Sequence, residues 1–393
     1  MKSTNWPLWV LALLSIGAPS AILTLDRAKD IQASGLMKKM GLPAFVLFIL
    51  LLGYSYAVGD PIFTLLVWGA VGGLLGTITL DAVRLTGLRL RAFPLDMPVM
   101  FGLMSLGIAP KLPRHVMANM VATASAMPDE KRMEMMEPRI RAMSELAPPE
   151  RKLFMSMMLD GINRLPGERK DRMFKTQLEV ISSLPEEKRL AMMRTMDELT
   201  MGVRDPGGLS APVSPMAVFR RGAMPMLSLS MGRDLLAKAI PETLNEEGAT
   251  LGKVRAAGYA WHFVNGATYG MAFTLLFGMG SWPWVLAWGL FVDLVMMVGM
   301  PPMMPMIRLP YPRFLVVPYL AHLAMAVPIG YFALSYVSPI AAAAGSLLGG
   351  SLLAGNTYVT LTLLPTIVFI LLSAIILLGY KAYTRPIYGK RRD

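Results

Sequence analysis

Apolar residues gather into long runs toward both ends of the chain and into short, regularly broken ones in its middle. Pro7 to Leu25, about Leu42 to Val58, Ile62 to Leu80, Gly258 to Phe277, Trp284 to Met300, Leu315 to Val337 and Thr357 to Leu378 are each long enough to predict a bilayer-spanning helix. Phe93 to Pro110 is apolar too, but Pro94, Asp96, Pro98 and two glycines interrupt it. That predicts a re-entrant or interfacial segment, which survives at membrane depth only against protein or water. Ser338 to Gly355, small and rich in glycine, predicts either a second such dip or an extra span.

Residues 128–201 follow another rhythm. Pro128-Asp-Glu130, Pro148-Pro-Glu150, Pro166-Gly-Glu168 and Pro185-Glu-Glu187, each followed by two basic residues, open units at intervals of 20, 18 and 19 residues. Proline suits a first helical turn, and a glutamate two places on complements the positive helix end. Met133, Met136, Ile140 and Met143, then Leu190, Met193, Met196 and Leu199, recur at helical spacing and predict apolar faces for four stacked short helices. The fifteen methionines between 117 and 201 fit those faces as packing residues. A copper-binding methionine surface would instead need exposed clusters, and only Met135 and Met158 fall off the expected faces. The leader Leu-Pro-Glu-Glu-Lys-Arg resembles the short-helix repeats in the cytoplasmic domain of MgtE-type magnesium channels. The basic residues balancing the carboxylates here depart from that domain's metal-binding pattern.

The long runs carry stripes of small residues. Gly258-Tyr259-Ala-Trp-His262-Phe-Val-Asn265-Gly266-Ala-Thr-Tyr-Gly270 and Pro318-Tyr319-Leu-Ala-His322-Leu-Ala-Met-Ala326-Val-Pro-Ile-Gly330 share one pattern, with a histidine among small residues at steps of four. Gly69, Gly73 and Thr77 repeat the spacing. Such faces let helices approach closely, and a histidine in the stripe faces protein rather than lipid. With Trp68-Gly-Ala-Val-Gly-Gly-Leu-Leu-Gly-Thr-Ile-Thr-Leu-Asp81, these motifs resemble small prokaryotic integral membrane proteins that pair a Gly-rich helix with GxxxHxxxG helices. That resemblance implies a compact membrane core and no particular activity.

Composition narrows the picture. With 54% apolar and 16% charged residues, the chain reads as all-α: a polytopic membrane bundle of about seven spans carrying an inserted cytoplasmic array of short helices. Its net charge of +12 lies beside the spans, at 27–39, 84–91, 253–255, 308–313 and 381–392, which fits the positive-inside rule and not nucleic-acid binding. The expected organisation is three membrane helices and the broken segment in 1–110 and the short-helix domain in 111–205. A linker with an interfacial helix follows in 206–256, then four membrane helices in 257–380 and a basic tail in 381–393. The N-terminus is expected outside and both 111–256 and the C-terminus in the cytoplasm of a prokaryote, the bundle lying in its plasma (inner) membrane. Lys2 and Ala18-Pro19-Ser20-Ala21 would suit a signal peptide, but the apolar run continues past that point and favours a retained span.

Chemistry is sparse. The absence of cysteine removes disulfides, thiolate metal sites and cysteine nucleophiles, and the three histidines rule out a His-rich zinc centre. Neither H-E-x-x-H nor G-x-S-x-G occurs, so an enzyme would rest on Asp293 and histidine alone. Thioether and imidazole ligands suit Cu(I) or haem iron, and His262, His322, Met300 and Met303 form the candidate set. Asp293 is an intramembrane carboxylate, with Asn265, Tyr259 and Tyr319 as its polar company. The glycines expected to set helix packing are Gly69, Gly73, Gly258, Gly266, Gly270 and Gly330. The expected role is a non-catalytic membrane module binding or organising a protein partner, or itself, through 128–201; the alternatives are, first, a transporter using Asp293 and the two histidines and, second, a copper- or haem-binding subunit.

Overall fold

The computed structural model describes residues 6–29, 33–91, 96–201, 214–220, 222–278, 281–303, 306–307, 313–337, 367–368 and 370–371. These are almost wholly helical. In order they form α1 (Trp6–Lys29), α2 (Ala33–Leu36), α3 (Leu42–Ala57), α4 (Pro61–Arg89), α5 (Met97–Ser105), α6 (Leu112–Ser125), α7 (Asp129–Ser144), α8 (Pro148–Asn163), α9 (Gly167–Ser182), α10 (Glu186–Thr200), α11 (Pro215–Arg220), α12 (Leu229–Glu246), α13 (Leu251–Phe277), α14 (Trp282–Met303) and α15 (Arg313–Phe332). Two compact units result, one of Met1–Gly107, Gly252–Met303 and Pro310–Asp393, the other of Ile108–Leu251 and Met304–Leu309.

In the first unit, three helical stretches are long and apolar enough to cross a membrane: Ser34–Ala57, Pro61–Arg89 and Val316–Val337. Pro7–Ile22 and Trp282–Met297 are apolar but shorter. Helix α3 leaves Phe45, Val46, Ile49, Leu50 and Tyr54 exposed, the surface expected of a helix bathed in lipid. The Gly59-Asp60-Pro61 turn joins α3 to α4. Gly59 takes a positive φ of 67°, and Asp60 caps α4 by accepting a hydrogen bond from the Ile62 amide at 2.9 Å. The segment expected to dip and return contains α5, a nine-residue helix with Met97 through Met104 buried. The expected dip or span at 338–355 lies outside the described residues, as does the last expected span, 357–378, save for four residues.

Helix α4 is the axis of this unit. One face meets α13 so closely that a Cβ on Gly69 would fall 2.7 Å from the Met271 Cα, and one on Gly73 would fall 2.9 Å from the Ala267 Cα. The next face meets α15, where Gly76 faces Met325 and Thr79 donates to the Ala324 carbonyl at 2.9 Å. Residue numbers rise along α4 as they fall along both partners, so α4 is antiparallel to each. Leu8, Trp9, Ala12 and Ile16 of α1 pack with Leu51, Leu65, Leu66, Met271 and Leu275 near one end of α4. Leu80, Phe273, Val285, Trp288, Val292, Ala321 and Met325 form a second cluster among α4, α13, α14 and α15.

The second unit is a helical repeat. The residues that cap α7 to α10, Pro128, Ala147, Pro166 and Pro185, stand 19 apart with nearly one backbone conformation, ψ between 146° and 153°. In each unit the cap carbonyl accepts a 2.9 Å bond from the amide four residues on: Arg132, Arg151, Lys170 and Arg189. The period is therefore constant, and the second unit begins at Ala147 and not at Pro148. Pro148 falls one place inside the helix, where proline is also tolerated. Shifting by 19 again brings in α6 as a first unit. Val116, Met135, Phe154, Met173 and Met192 are equivalent and all buried. Alternate helices stack, α6 on α8, α7 on α9 and α8 on α10. Equivalent ties recur, with Arg132 Nε donating to Thr176 Oγ1 at 2.8 Å and Arg151 Nε to Thr195 Oγ1 at 3.1 Å.

Two expectations for this array need correction. Met135 and Met158, taken as off-face, are 7% and 1% exposed, so the exposed pair that a copper surface would use is missing. Leu190 and Met193, taken as an inward face, are 57% and 39% exposed, because the register of the stack turns Met192 and Thr195 inward instead. The stretch expected as a linker holds α12, whose buried Leu235, Leu236, Ala239, Ile240 and Leu244 form one stripe. It packs on α6, where His115 Nε2 lies 2.8 Å from Glu246 and Asn119 donates to Glu242 at 2.7 Å.

Candidate functional site

The small-residue stripe on α4 does not stop at Thr77. One more step of four reaches Asp81, and Arg84 lies on the same face three residues further. On α13 the matching stripe runs Gly258, His262, Gly266, Gly270. Because the two helices are antiparallel and nearly in backbone contact at Gly73 and Gly266, Asp81 comes opposite His262. The imidazole Nε2 lies 3.0 Å from Asp81 Oδ1. Arg84 sits behind them, 3% exposed, and divides its donors among three partners. Nε donates to Asp81 at 2.7 Å, Nη1 to Asp96 at 2.5 Å and Nη2 to the Tyr259 hydroxyl at 3.2 Å. Asp96 is the residue preceding α5, so the broken segment supplies a carboxylate to the bundle. Arg84 is therefore not the exposed, span-flanking cation that its position in the sequence suggests.

A second pair lies on α14 and α15. Asp293 on α14 is fully buried, and its Oδ1 lies 3.0 Å from Nδ1 of His322 on α15. The Nδ1 proton goes to the Pro318 carbonyl at 2.8 Å, so the carboxylate makes an electrostatic contact without an aligned hydrogen bond. α14 reaches α15 this closely at Gly289, where a Cβ would lie 2.8 Å from the His322 carbonyl oxygen. Thr79 opposite Ala324, and Gly87 opposite Val317, bring His322 level with the Asp81 turn of α4.

Both histidines line one cavity of about 60 Å³, together with Thr77, Arg84, Phe101, Asn265 and Tyr269. Met97, Met296 and Met325 line it as well, and the remaining wall is largely aliphatic. Asn265 is 3% exposed, and neither its amide nitrogen nor its amide oxygen has a hydrogen-bond partner among the described residues. Leaving such groups unmet costs about 1–3 kcal/mol each. Of the other sequence candidates, Tyr259 holds Arg84. Tyr319 is half-buried on α15 and does not line the cavity. Met300 and Met303 lie on the last turns of α14, with side chains outside the described residues. Gly258 abuts α5 at Pro98, and Gly330 abuts Val285 of α14.

Formal charge shows what the arrangement can do. Asp81 and Asp96 share one guanidinium, so the first cluster is left with one negative charge unless it takes a proton. Among the described residues Asp293 has no cation but His322, and with a neutral imidazole that pair also carries one negative charge. An uncompensated charge in a low-dielectric interior is costly by several kcal/mol, and a cation or proton bound at each pair would offset it. Among the described residues, no group of three His, Asp or Glu side chains is arranged to hold a metal ion.

No family model, no curated protein and no solved structure matches the chain. Sequence reasoning singled out His262, His322, Asp293, Asn265 and Tyr259, but not Asp81, Arg84 and Asp96 as their partners. The signal for Asp81 was present in the four-residue step from Gly69.

Proposed function

We propose that the protein is an integral membrane transporter that carries protons, alone or with a solute, through the paired carboxylate–imidazole sites Asp81–His262 and Asp293–His322. The observation that supports this most is two such pairs, each short of one positive charge, whose imidazoles line one cavity among apolar helices. Histidines on a shared cavity, each backed by an intramembrane carboxylate, suit a proton path. In this reading the chain crosses a prokaryotic plasma membrane about seven times. Its N-terminus is outside, and the repeat array and basic tail are in the cytoplasm.

Purified protein in liposomes loaded with a pH-sensitive dye tests the reading. An imposed pH gradient and potential should drive proton entry, and Asp293→Asn or Asp81→Asn should return it to the leak of empty liposomes. Equal flux in wild type and both variants would refute it.

The array supports a second role alongside transport, the binding of a protein partner. Leu178, Leu190 and Met193 stand exposed on its surface, and repeat arrays of this kind present extended binding faces. A partner that co-purifies with the full chain and is lost on deleting 128–201, with flux unchanged, would establish that role; no such partner would remove it. A copper or haem subunit remains a third proposal, which metal analysis of the purified protein tests.

A further inference from the structure

Asn265 is the most conspicuous unsolved contact in the bundle. It is 3% exposed, its amide offers two donors and an acceptor, and none has a partner among the described residues. It lines the same cavity as His262 and His322. Each ring has spent one nitrogen: His262 Nε2 on Asp81, and His322 Nδ1 on Pro318 and Asp293. With the imidazoles neutral, the nitrogens left for the cavity, Nδ1 of His262 and Nε2 of His322, are bare acceptors. The Thr77 hydroxyl donates to the Gly73 carbonyl at 2.9 Å, which leaves its lone pairs for an incoming donor.

We infer that this cavity is a hydrated site: a short chain of ordered water, held by the Asn265 amide, that joins the ring nitrogen of His262 to that of His322. Water is the ligand whose chemistry matches. It can donate to both bare imidazole nitrogens while accepting from the amide NH₂, as no monatomic cation can, and the Arg84 guanidinium in the wall opposes a cation. A volume of about 60 Å³ admits roughly four water centres, given ~10–15 Å³ for each. Buried waters settle where polar groups lack partners, and Asn265 supplies that condition among walls that are otherwise apolar. Asn265 is thus a positioning residue. It acts by ordering the water between two proton-holding pairs and holds no exchangeable proton itself. The inference adds a path to the transport reading, but hydration can be measured without flux.

The cavity carries its own reporters. Hydroxyl radicals made by an X-ray pulse attack a thioether mainly when the parent water touches it, giving the sulfoxide. Met97 and Met325, 5% and 2% exposed, line the cavity with Met296; Met271, 6% exposed, lies instead in the apolar cluster with Trp9 and Leu65, so only water inside the cavity would distinguish them. In detergent-solubilised full-length protein, the three cavity methionines should oxidise at a rate approaching that of Met201, which is 75% exposed, while Met271 stays protected. Asn265→Leu should bring the cavity methionines down to the Met271 rate, and Asn265→Ser should preserve most of the labelling. If wild-type cavity methionines are as protected as Met271, the site is dry and the inference fails, whatever the flux assay shows. If Asn265→Leu folds and labels like wild type, water is present but Asn265 does not hold it, and that assignment is overturned. Should Asn265→Leu not fold, the wild-type rates and Asn265→Ser decide. Labelling in wild type without proton flux would retain the hydrated site and remove the transport reading.

Discussion

Replacing Gly73 with alanine adds one methyl group at the closest approach of α4 and α13. The new Cβ would lie 2.8 Å from the Gly266 carbonyl carbon and 2.9 Å from the Ala267 Cα, with the Gly266 oxygen nearer still. Carbon atoms rest at about 3.5–4.0 Å, so the helices must part by roughly 1 Å, against backbone that cannot rotate away. Overpacking of this kind costs about 1–3 kcal/mol. The same substitution at Gly53 on α3 meets nothing within 4 Å, and there alanine should stabilise the helix by about 0.5–1 kcal/mol. The two variants therefore move in opposite directions although the chemistry is identical, separated by ~1.5–4 kcal/mol. Unfolding curves in mixed detergent, following tryptophan fluorescence, give the comparison. Parting the helices also stretches the 3.0 Å contact between Asp81 and His262 past hydrogen-bond range, so Gly73→Ala should lose proton flux as well. If Gly73→Ala is as stable as Gly53→Ala, the close α4–α13 contact does not exist and the alignment of Asp81 with His262 falls with it.

Two further outcomes follow from the ion network and the array. Arg84→Leu strips the shared guanidinium from Asp81 and Asp96 in a site where Arg84 is 3% exposed; it should destabilise the bundle by about 3–5 kcal/mol, measured in the same unfolding assay, and a change within error of wild type would show the network to be incidental. In the array, burial raises the Asp160 carboxyl, but the hydrogen bond from Arg114, with Arg164 beside it, outweighs burial and holds it below the ordinary range. A depressed carboxylate stabilises the fold above its unfolded value near 3.9 and loses that contribution as pH falls through the folded value. Asp160→Asn should therefore destabilise the full chain by at most about 1 kcal/mol at pH 6, and by progressively less as pH falls below the unfolded value, in urea titrations; a loss that does not shrink on acidification would refute the assignment. Asp160 is about one-third exposed and its pairs are partly screened.

What could be read from the sequence follows the range of the interaction. All-helical structure, the Gly59-Asp60-Pro61 turn and the existence of short repeating helices depend on neighbours a few residues apart, and periodicity reports them. The stripes at Gly69 and Gly266 also showed which faces could pack, since only small residues permit such contact. The partners of those faces were hidden. That Asp81 meets His262 depends on α4 and α13 being antiparallel neighbours in one register, 181 residues apart, which no local pattern encodes. Arg84 looked like a cation flanking a span because the sequence does not show that Asp96 turns back to meet it. In the array, the P-x-E leader hid the constant period, because the second unit begins on Ala147 and the first, α6, has no such leader at all. The faces of the last unit were misread for a related reason: Met192 and Met193 adjoin, and stacking decides which one is buried.

The central claim is that His262 and His322 hand opposite ring nitrogens to one cavity, and the chain's three histidines make this measurable. Solid-state NMR of protein labelled with ¹⁵N-histidine and reconstituted in lipid, with signals assigned through His115→Gln, His262→Gln and His322→Gln, reads the tautomer of each ring. The geometry predicts that neutral His262 carries its proton on Nε2, toward Asp81, and neutral His322 on Nδ1, toward Pro318 and Asp293. Two rings of the same tautomer, or the mixed tautomers of imidazoles free in water, would contradict the account.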